Sequence, residues 1–402
     1  MLNDLVRQGG VSRLRERQGQ IVNKSRRNHP LTVPPENVLA FRAQRHNLDH
    51  RQSRALKLVA AVCGIHAQVM SAARGQFWAR TEGISPGDTH DGLWKQRSLV
   101  KTWCMRGTLH IVPKDDLDVF AGARRRVSTD RETPWMKHFG ISYSDLDTVT
   151  HAIRDALEGT TLTRSELMKT IGKRLKPKLR SLLNSSWNEL LHPASYEEVL
   201  CFGPQRGIET TFVSPKDWLK SWKIRLTPEE SRRVLLERYL RVYGPSDRLE
   251  FAAWAGLDPV NARPTWESVL DRMIEVVYCG RRTWLLKDDL DALLRSEFRD
   301  PVRLIPNFDV YLAGRDRRVL TSGKEEHKRV YRQAGWVSAV VLARGRVGGV
   351  WSVKTQKEKL LLDIEPLVKF GSDFRRFVEE EAEAYADFLG CSSGVNISWS
   401  IS

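Results

Sequence analysis

Cysteines, long apolar runs and acidic residues are scarce in this chain, and each shortage argues against a class of protein. The five cysteines among 402 residues are scattered and form no C-x-x-C pair, so neither a disulfide framework nor a zinc site is expected. No apolar stretch approaches the roughly 20 residues that cross a bilayer. The N-terminus also lacks the apolar core of a signal peptide. We therefore expect a cytoplasmic protein with reduced cysteines and no membrane partner.

Acidic residues are outnumbered by basic ones. The chain has 65 Lys and Arg residues against 49 Asp and Glu residues, a formal net charge of +16. This surplus favours a polyanionic partner, with nucleic acid as the first candidate, although basic proteins without such a ligand exist. Hydrophobic residues make up 41% of the chain. That share suffices for a sizeable core and, at typical domain sizes of roughly 100–200 residues, for two to four domains.

The first 35 residues are basic and end in prolines. Arg13, Arg15, Arg17 and Lys24 occur among few large apolar residues. This composition predicts a mobile basic tail over residues 1–35. The alternative is a solvated N-terminus that has no function of its own.

After the tail, one order of elements occurs three times. Helices lead into a β-hairpin, and a Lys-Asp-x-Leu sequence then starts the next element. The three copies of this sequence are Lys114-Asp115-Asp116-Leu117, Lys216-Asp217-Trp218-Leu219 and Lys287-Asp288-Asp289-Leu290. We therefore predict three related units, at residues 36–125, 126–225 and 226–300.

The third unit has the clearest pattern. Capping signals and apolar spacing predict a helix at 228–243, a second at 248–255 and a third from about 265 through Met273. A hairpin at 275–287 follows. Helices followed by a hairpin are the plan of a winged helix. The other units show helices near 91–94, 145–157, 163–171 and 185–191, with hairpins at 99–112 and around 203–207.

Beyond residue 300 the hydrophobic pattern changes to a period of two, which indicates strands. The predicted strands are 302–312, 336–342, 346–353 and 360–364, followed by a helix at 373–389 and a short final strand. The fold class is therefore α+β, with three tandem winged-helix units and a β-barrel-like module or curled sheet at 301–402.

Several motif matches do not withstand inspection. Gly390-Cys391-Ser392-Ser393-Gly394 has the spacing of a nucleophile elbow, but no histidine follows Ser392, so a turn is favoured. His46 and His50 are four residues apart without a third ligand, and core or solvated histidines are the simpler interpretation. No P-loop occurs. We therefore expect neither a metal nor a cofactor.

The segment from Cys63 to Ala73 is more informative. A helix should end at Gly64 and the next should begin near Ser71, which leaves a short extended link. In extended backbone, His66 and Gln68 lie on one side and Ala67 on the other. An imidazole beside an amide can hold one water molecule. The alternative is a structural histidine and a capping amide.

Several stretches of the chain resemble the AlkZ-like DNA glycosylases of the winged-helix DNA-binding superfamily, from about residue 36 onwards. These stretches are Cys63-Gly64-Ile65-His66-Ala67-Gln68-Val69-Met70-Ser71, Arg106-Gly107-Thr108-Leu109-His110-Ile111-Val112-Pro113, Phe202-Gly203-Pro204, Tyr243-Gly244-Pro245 and Pro306-Asn307-Phe308-Asp309-Val310-Tyr311-Leu312. The resemblance implies a bacterial repair enzyme that excises alkylated bases from double-stranded DNA. Its catalytic pair would be His66 and Gln68, where histidine replaces the first glutamine of the family motif.

From this resemblance we expect a monofunctional glycosylase, monomeric, acting on N7-alkylguanine. Neutral His66 would accept a hydrogen bond from water and lose this ability below about pH 6.5. Two groups of residues are candidate DNA contacts: Arg106, Thr108 and His110 at the first hairpin, and Tyr311, Arg315, Arg317 and Arg318 in a later one. The alternatives are a non-catalytic winged-helix transcriptional regulator and a silent relative that shields alkylated DNA.

Overall fold

Helices and short hairpins alternate along the chain in a computed structural model that describes residues 30–53, 55–128, 130, 132–184, 189–220, 222–299, 302–314, 317–356, 358–369 and 372–400. The helices are α1 (Pro35–Arg45), α2 (Ala55–Ala61), α3 (Met70–Trp78), α4 (Pro86–His90), α5 (Leu117–Phe120), α6 (Pro134–Phe139), α7 (Tyr143–Leu157), α8 (Arg164–Gly172), α9 (Pro177–Asn184), α10 (His192–Tyr196), α11 (Pro215–Trp218), α12 (Pro228–Tyr243), α13 (Arg248–Ala255), α14 (Ala262–Glu267), α15 (Leu290–Leu294), α16 (Lys324–Val330) and α17 (Ser372–Leu389). The strands are β1 (Leu31–Thr32), β2 (Ile65–His66), β3 (Leu99–Trp103), β4 (Leu109–Pro113), β5 (Leu162–Thr163), β6 (Cys201–Arg206), β7 (Glu209–Val213), β8 (Met273–Tyr278), β9 (Arg281–Leu286), β10 (Val302–Ile305), β11 (Val340–Ala343), β12 (Arg346–Gln356), β13 (Lys359–Pro366) and β14 (Val395–Trp399). The architecture is mixed α+β, as predicted. None of the described helices has the length and apolarity needed to cross a membrane.

Three small sheets each combine a hairpin with one short strand. The first sheet has the order β2-β4-β3, the second β5-β7-β6 and the third β1-β8-β9. The predicted hairpins at 99–112, around 203–207 and at 275–287 are confirmed by the pairs β3–β4, β6–β7 and β8–β9. A helical turn follows each hairpin. The repeated order of elements that the sequence indicates is therefore present.

Local capping explains where several helices begin. Thr227 and Glu230 form a capping box at the start of α12, and Thr163 and Glu166 do the same for α8. The reciprocal hydrogen bonds satisfy backbone N–H groups that a helix start leaves unpaired. The predicted helices at 228–243 and 248–255 are confirmed with the same bounds.

Two predictions for the third sheet are wrong. Residues 30–35 do not belong to a tail, because Leu31 and Thr32 pair with Val276 and Val277 of β8; residues 1–29 lie outside the described part of the chain. The helix predicted through Met273 ends at Glu267, and Met273 begins β8. The i,i+4 spacing of buried Val269 and Met273 imitates a helix, although the two side chains belong to different elements.

The C-terminal part of the chain forms one open sheet. Its strands have the order β10-β11-β12-β13-β14, so β10 and β14 are edges and the described residues form no closed barrel. The final pair, β13–β14, is parallel, whereas the other pairs of this sheet are antiparallel. The predicted β-barrel is therefore corrected to an open five-stranded sheet, against whose β10 the helix α17 packs.

The strand predicted at 302–312 is also too long. β10 ends at Ile305, and Val310–Ala313 form a turn of 3-10 helix. Pro306 follows β10 directly, and the Asp309 carboxylate accepts a hydrogen bond from the Tyr311 N–H at 2.9 Å. This side-chain bond favours a helical turn over continued strand pairing.

The first sheet packs against the second sheet and against helices of the third unit. Trp103 on β3 contacts Phe202 on β6, with ring centroids 4.6 Å apart. On the other side, Cys104 and Met105 join a buried cluster with Tyr239 and Trp254 of α12 and α13. Burial of these apolar surfaces stabilises the arrangement. The first sheet thus contacts both neighbouring units, and its strand β2 ends at the candidate catalytic residue His66.

Candidate active site

The segment before His66 turns sharply out of α2. Cys63 and Gly64 both have positive φ, +60° and +84°. A Cβ on Gly64 would lie 3.2 Å from Val112 Cγ1 and 3.3 Å from the Ile111 carbonyl oxygen. Glycine therefore suits both the left-handed conformation and the close approach to β4. The chain leaves the helix directly onto the edge of the first sheet.

The extended link predicted after Gly64 is confirmed. Ile65 and His66 pair with Ile111 and His110 of β4, and the Ala67 N–H donates to the Leu109 carbonyl at 2.7 Å. Ile65 and Ala67 are buried, His66 is half-buried and Gln68 is exposed. The apolar side chains of Ile65 and Ala67 therefore lie in the core, whereas the imidazole and the amide keep some access to solvent.

Aromatic rings surround His66. The His110 ring meets it edge-on, with centroids 5.3 Å apart, and the Phe308 ring stacks on it at 5.4 Å with an interplanar angle of 22°. Trp336 packs against the far side of Phe308 at 4.8 Å and is 43% exposed. It borders a concavity of about 740 Å³ that Tyr331 also lines. The C-terminal part of the chain thus covers one face of His66.

Burial keeps His66 neutral. Burial is the main cause and the positive charge of Arg106 a smaller one, and together they lower the pKa of His66 to about 4. Within the described part of the chain, His66 Nδ1 is buried without a hydrogen-bond partner. The backbone is fixed by Gln76, whose side-chain amide donates to the His66 carbonyl at 2.9 Å. A neutral imidazole with an unused nitrogen can accept a proton or a hydrogen bond.

His110 is neutral as well. Burial holds the pKa of His110 well below its ordinary value, and the charges of His66 and Arg106 act in the same direction. Its Nδ1 lies 3.0 Å from the Thr108 carbonyl oxygen. A carbonyl only accepts, so Nδ1 carries the proton in this assignment. The two histidines therefore present no net charge to each other.

The turn of the first hairpin, between β3 and β4, packs against other parts of the protein. Arg106 has a φ of +57° and donates from Nη1 to the Trp254 carbonyl at 2.7 Å. Thr108 Oγ1 donates to the Met105 carbonyl at 3.1 Å. A Cβ on Gly256 would lie 2.7 Å from the Arg106 backbone, so the turn fits tightly beside the end of α13. Arg106 acts on His66 through its charge from this position.

The other predicted DNA contacts have mixed positions. Tyr311 is 3% exposed and donates its hydroxyl proton to the Gly345 carbonyl at 2.9 Å, and His110 is 1% exposed. Both lie inside the protein, and the predictions that they touch the phosphate backbone are corrected on that ground. Tyr311 is turned inward by the 3-10 helix that replaces the predicted strand.

Arg317 and Arg318 are not part of a hairpin. Arg317 and Arg318 lie in a 3-10 turn, Arg317–Val319. The Arg317 guanidinium lies 4.4 Å from the centroid of the Tyr331 ring, whereas Arg318 is exposed. Arg315 lies outside the described residues. The structure does not bring these arginines together with Arg106 and Thr108 in the described contacts.

The sequence does not reveal the ion pair beside Phe308, the residue that stacks on His66. The Arg80 guanidinium donates to both oxygens of the Asp309 carboxylate, at 2.7 and 2.6 Å, and both side chains are 0% exposed. The two residues are 229 positions apart. Phe308-Asp309 belongs to a stretch that carries the family resemblance, but no local pattern pairs it with Arg80.

The discarded motifs behave as expected. The segment at Gly390–Gly394 is a turn, and Ser392 Oγ donates to the Glu358 carboxylate. His46 is buried between the rings of Tyr243 and Tyr311, with centroids 4.9 and 5.2 Å away. Within the described ranges, no three His, Cys, Asp or Glu side chains are grouped closely enough to hold a metal ion.

Comparison with known proteins gives one consistent result. Residues 59–388 match the family model described as DNA glycosylase AlkZ-like. An interstrand DNA cross-link repair glycosylase of Streptomyces sahachiroi is 30% identical over 368 residues, covering 89% of this chain and 96% of the relative. The solved structure of the Streptomyces sahachiroi DNA glycosylase AlkZ superposes with a TM-score of 0.81 at 27% identity, covering 92% of this chain and 100% of that one.

Proposed function

Because this chain belongs to the AlkZ-like DNA glycosylase family and is a DNA repair glycosylase, we propose that His66 and Gln68 position the water that hydrolyses its N-glycosidic bond. The substrates would be alkylated bases of the N7-alkylguanine type in duplex DNA. One observation carries this proposal: His66, which is half-buried, neutral and without a hydrogen-bond partner at Nδ1 in the described part of the chain, ends strand β2 two residues before the exposed Gln68.

The proposed reaction needs little activation of the nucleophile. N7-alkylguanine is positively charged, so it leaves as a neutral base when the bond from C1′ to N9 breaks and the base keeps the electron pair. The water oxygen forms the new bond to C1′ and gives its proton to His66, while the Gln68 amide orients the water. Neither residue is a carboxylate, and we therefore expect excision of labile, cationic lesions only.

We also propose that the three helix-and-hairpin units are winged helices that hold duplex DNA. The base must leave the stack to reach His66, at a cost of a few kcal/mol. A non-catalytic winged-helix regulator is the competing proposal, and it would read bases with recognition helices. The 30% sequence identity with an interstrand DNA cross-link repair glycosylase supports cross-linked bases as a second class of substrate.

Release of free base separates these proposals. Duplex DNA carrying N7-methylguanine is incubated with enzyme in excess, and the free base is measured by liquid chromatography and mass spectrometry. We expect free base and abasic sites in equal amounts. A protein that binds the same duplex tightly and releases no base above the spontaneous rate would act as the regulator.

One surface of the protein is concave and basic, as a binding site for the DNA backbone requires. Between α8 and α9 lies a concavity of about 520 Å³ whose charged lining residues are all basic: Arg164, Lys169, Lys173 and Arg180. Concave surfaces of one sign concentrate the field and attract oppositely charged ligands. We propose that this basic groove, defined by those four residues, contacts phosphates of the duplex.

Neutralising the basic groove should weaken DNA binding in a salt-dependent way. The slope of log affinity against log salt concentration is negative, and in the variant Lys169→Ala/Lys173→Ala its magnitude should decrease by about 2, because each phosphate contact contributes roughly 0.9. Fluorescence anisotropy of a labelled duplex over a salt series measures this slope. The double variant of exposed Lys354 and Lys369 is the matched control, and equal slopes for both variants would contradict a role for the groove.

Excision should resist mild acid. Burial moves the pKa of His66 from the ordinary 6.5 to about 4, so the fall first expected below pH 6.5 moves to lower pH. Above the folded-state pKa the ring is neutral and can accept the proton; below it, the ring is charged and cannot. Single-turnover rates, corrected for spontaneous base loss, should stay level from about pH 8 to 5 and then fall. A midpoint near 6.5 in folded protein would contradict a buried, neutral His66.

A further inference from the structure

We propose that Phe308 is a positioning residue that fixes the His66 ring and shields one face of it from water. The inference rests on the proposed role of His66. It starts from the stacked rings, whose centroids are 5.4 Å apart at 22°. An offset parallel arrangement of this kind is a favourable geometry for aromatic rings and restricts rotation of both.

The backbone at Phe308 is held in an unfavourable conformation. Its φ is +59°, in the left-handed region that a bulky residue rarely adopts. The Phe308 N–H donates to the Val337 carbonyl at 3.2 Å, and the next residue, Asp309, is tied to Tyr311 and Arg80. Such strain persists only where the surroundings enforce it, and it is concentrated at functional sites. Here it aims the phenyl ring at His66.

A closed series of contacts joins Phe308 to the backbone of His66. Gln76 donates to the His66 carbonyl at 2.9 Å, and Arg80 Nη1 donates to the Gln76 carbonyl at 3.1 Å. Arg80 then binds Asp309, whose neighbour Phe308 stacks back on the His66 ring. The helix end at Arg80 therefore fixes both the backbone of His66 and the residue that covers its ring. A merely space-filling phenylalanine would not need this connection.

Phe308 contacts His66 differently from the other groups near the imidazole. His110 meets the ring edge-on, and Arg106 acts through its charge. Trp336 contacts Phe308 edge-on, with ring centroids 4.8 Å apart, and is itself partly exposed. Phe308 therefore contacts both the imidazole of His66 and the indole that lines the concavity. Without the phenyl ring, water would reach His66 and stabilise its protonated form.

The test compares Phe308→Ala with the conservative Phe308→Tyr and the volume-matched Phe308→Leu in the full chain. The pKa of His66 is measured by NMR titration, with its signal assigned from its absence in His66→Ala. In Phe308→Ala we expect this pKa to rise from about 4 towards 6.5. Single-turnover excision at neutral pH should fall by roughly tenfold or more, since the ring loses its orientation. Affinity for undamaged duplex should be unchanged, and Phe308→Tyr should retain both properties.

The outcomes separate this inference from the function it rests on. If Phe308→Ala shifts the His66 pKa while His66→Ala excises at the wild-type rate, Phe308 shields the ring and the catalytic proposal is wrong. If His66→Ala is inactive while Phe308→Ala keeps the wild-type pKa and rate, the positioning role is overturned. Should Phe308→Ala fail to fold, Phe308→Leu decides: it fills the space without stacking, so we expect a lower excision rate, and a wild-type rate without an aromatic ring overturns the positioning role.

Discussion

Replacing His66 or Gln68 by alanine is expected to lower single-turnover excision of N7-methylguanine by roughly 10²-fold or more, the usual scale for one acid–base or water-orienting group. In the proposed mechanism, His66→Ala removes the proton acceptor, and Gln68→Ala removes the amide that orients the water. Affinity for undamaged duplex should change little, because neither side chain carries a phosphate-binding charge. Quench-flow or manual time courses with enzyme in excess measure the rate, and fluorescence anisotropy measures the affinity.

Matched controls make this result interpretable. His151 and Gln96 are exposed residues of the same two types, away from the extended link, and their alanine variants should excise at the wild-type rate. If His66→Ala and Gln68→Ala match these controls, the pair is structural and the proposed mechanism is wrong. A parallel loss of affinity and rate would instead assign the two residues to DNA binding.

Removing the Asp309 carboxylate is expected to destabilise the protein strongly. Asp309→Ala leaves the guanidinium of Arg80 uncompensated at a site where both side chains are fully buried. Breaking a buried ion pair in this way costs about 3–5 kcal/mol in the free energy of unfolding. The variant also loses the hydrogen bond that Asp309 accepts from the Tyr311 N–H. Urea denaturation followed by circular dichroism measures the change.

An exposed ion pair provides the comparison. Arg174 and Asp155 approach within 3.1 Å, and their side chains are more than half exposed. Pairs of this kind contribute about 0–1 kcal/mol, so Asp155→Ala should leave the free energy of unfolding nearly unchanged. A loss for Asp309→Ala no larger than that for Asp155→Ala would mean that Arg80 finds solvent or another partner in the variant.

Local signals in the sequence predict much of the fold. The capping residues around Thr227 and the turn at Cys279-Gly280 each act within a few positions, and both α12 and the hairpin β8–β9 are found where they predict. Predictions fail where a contact far along the chain decides the structure. Residues 31–33 look like part of a basic tail until β8 is present to pair with them.

In the candidate site, too, local features are predictable from the sequence and long-range contacts are not. The extended link at His66 follows from the glycine before it and from the helix start after it, which are local features. The low pKa of His66 does not, because it arises mainly from burial, and the Phe308 ring that stacks on His66 comes from a distant part of the chain. The prediction that Tyr311 contacts DNA fails for a related reason: Asp309 starts a 3-10 turn that a period-two pattern cannot reveal.

The central claim is that His66 and Gln68 act together on one water molecule, and a double-mutant cycle tests it most directly. Single-turnover excision of N7-methylguanine is measured for the wild type, both single alanine variants and the double variant. Residues that act as a unit are strongly non-additive, so the double variant should be about as slow as the slower single variant. A double variant whose loss equals the product of the two single losses would show independent roles, and one that excises at the wild-type rate would contradict the account altogether.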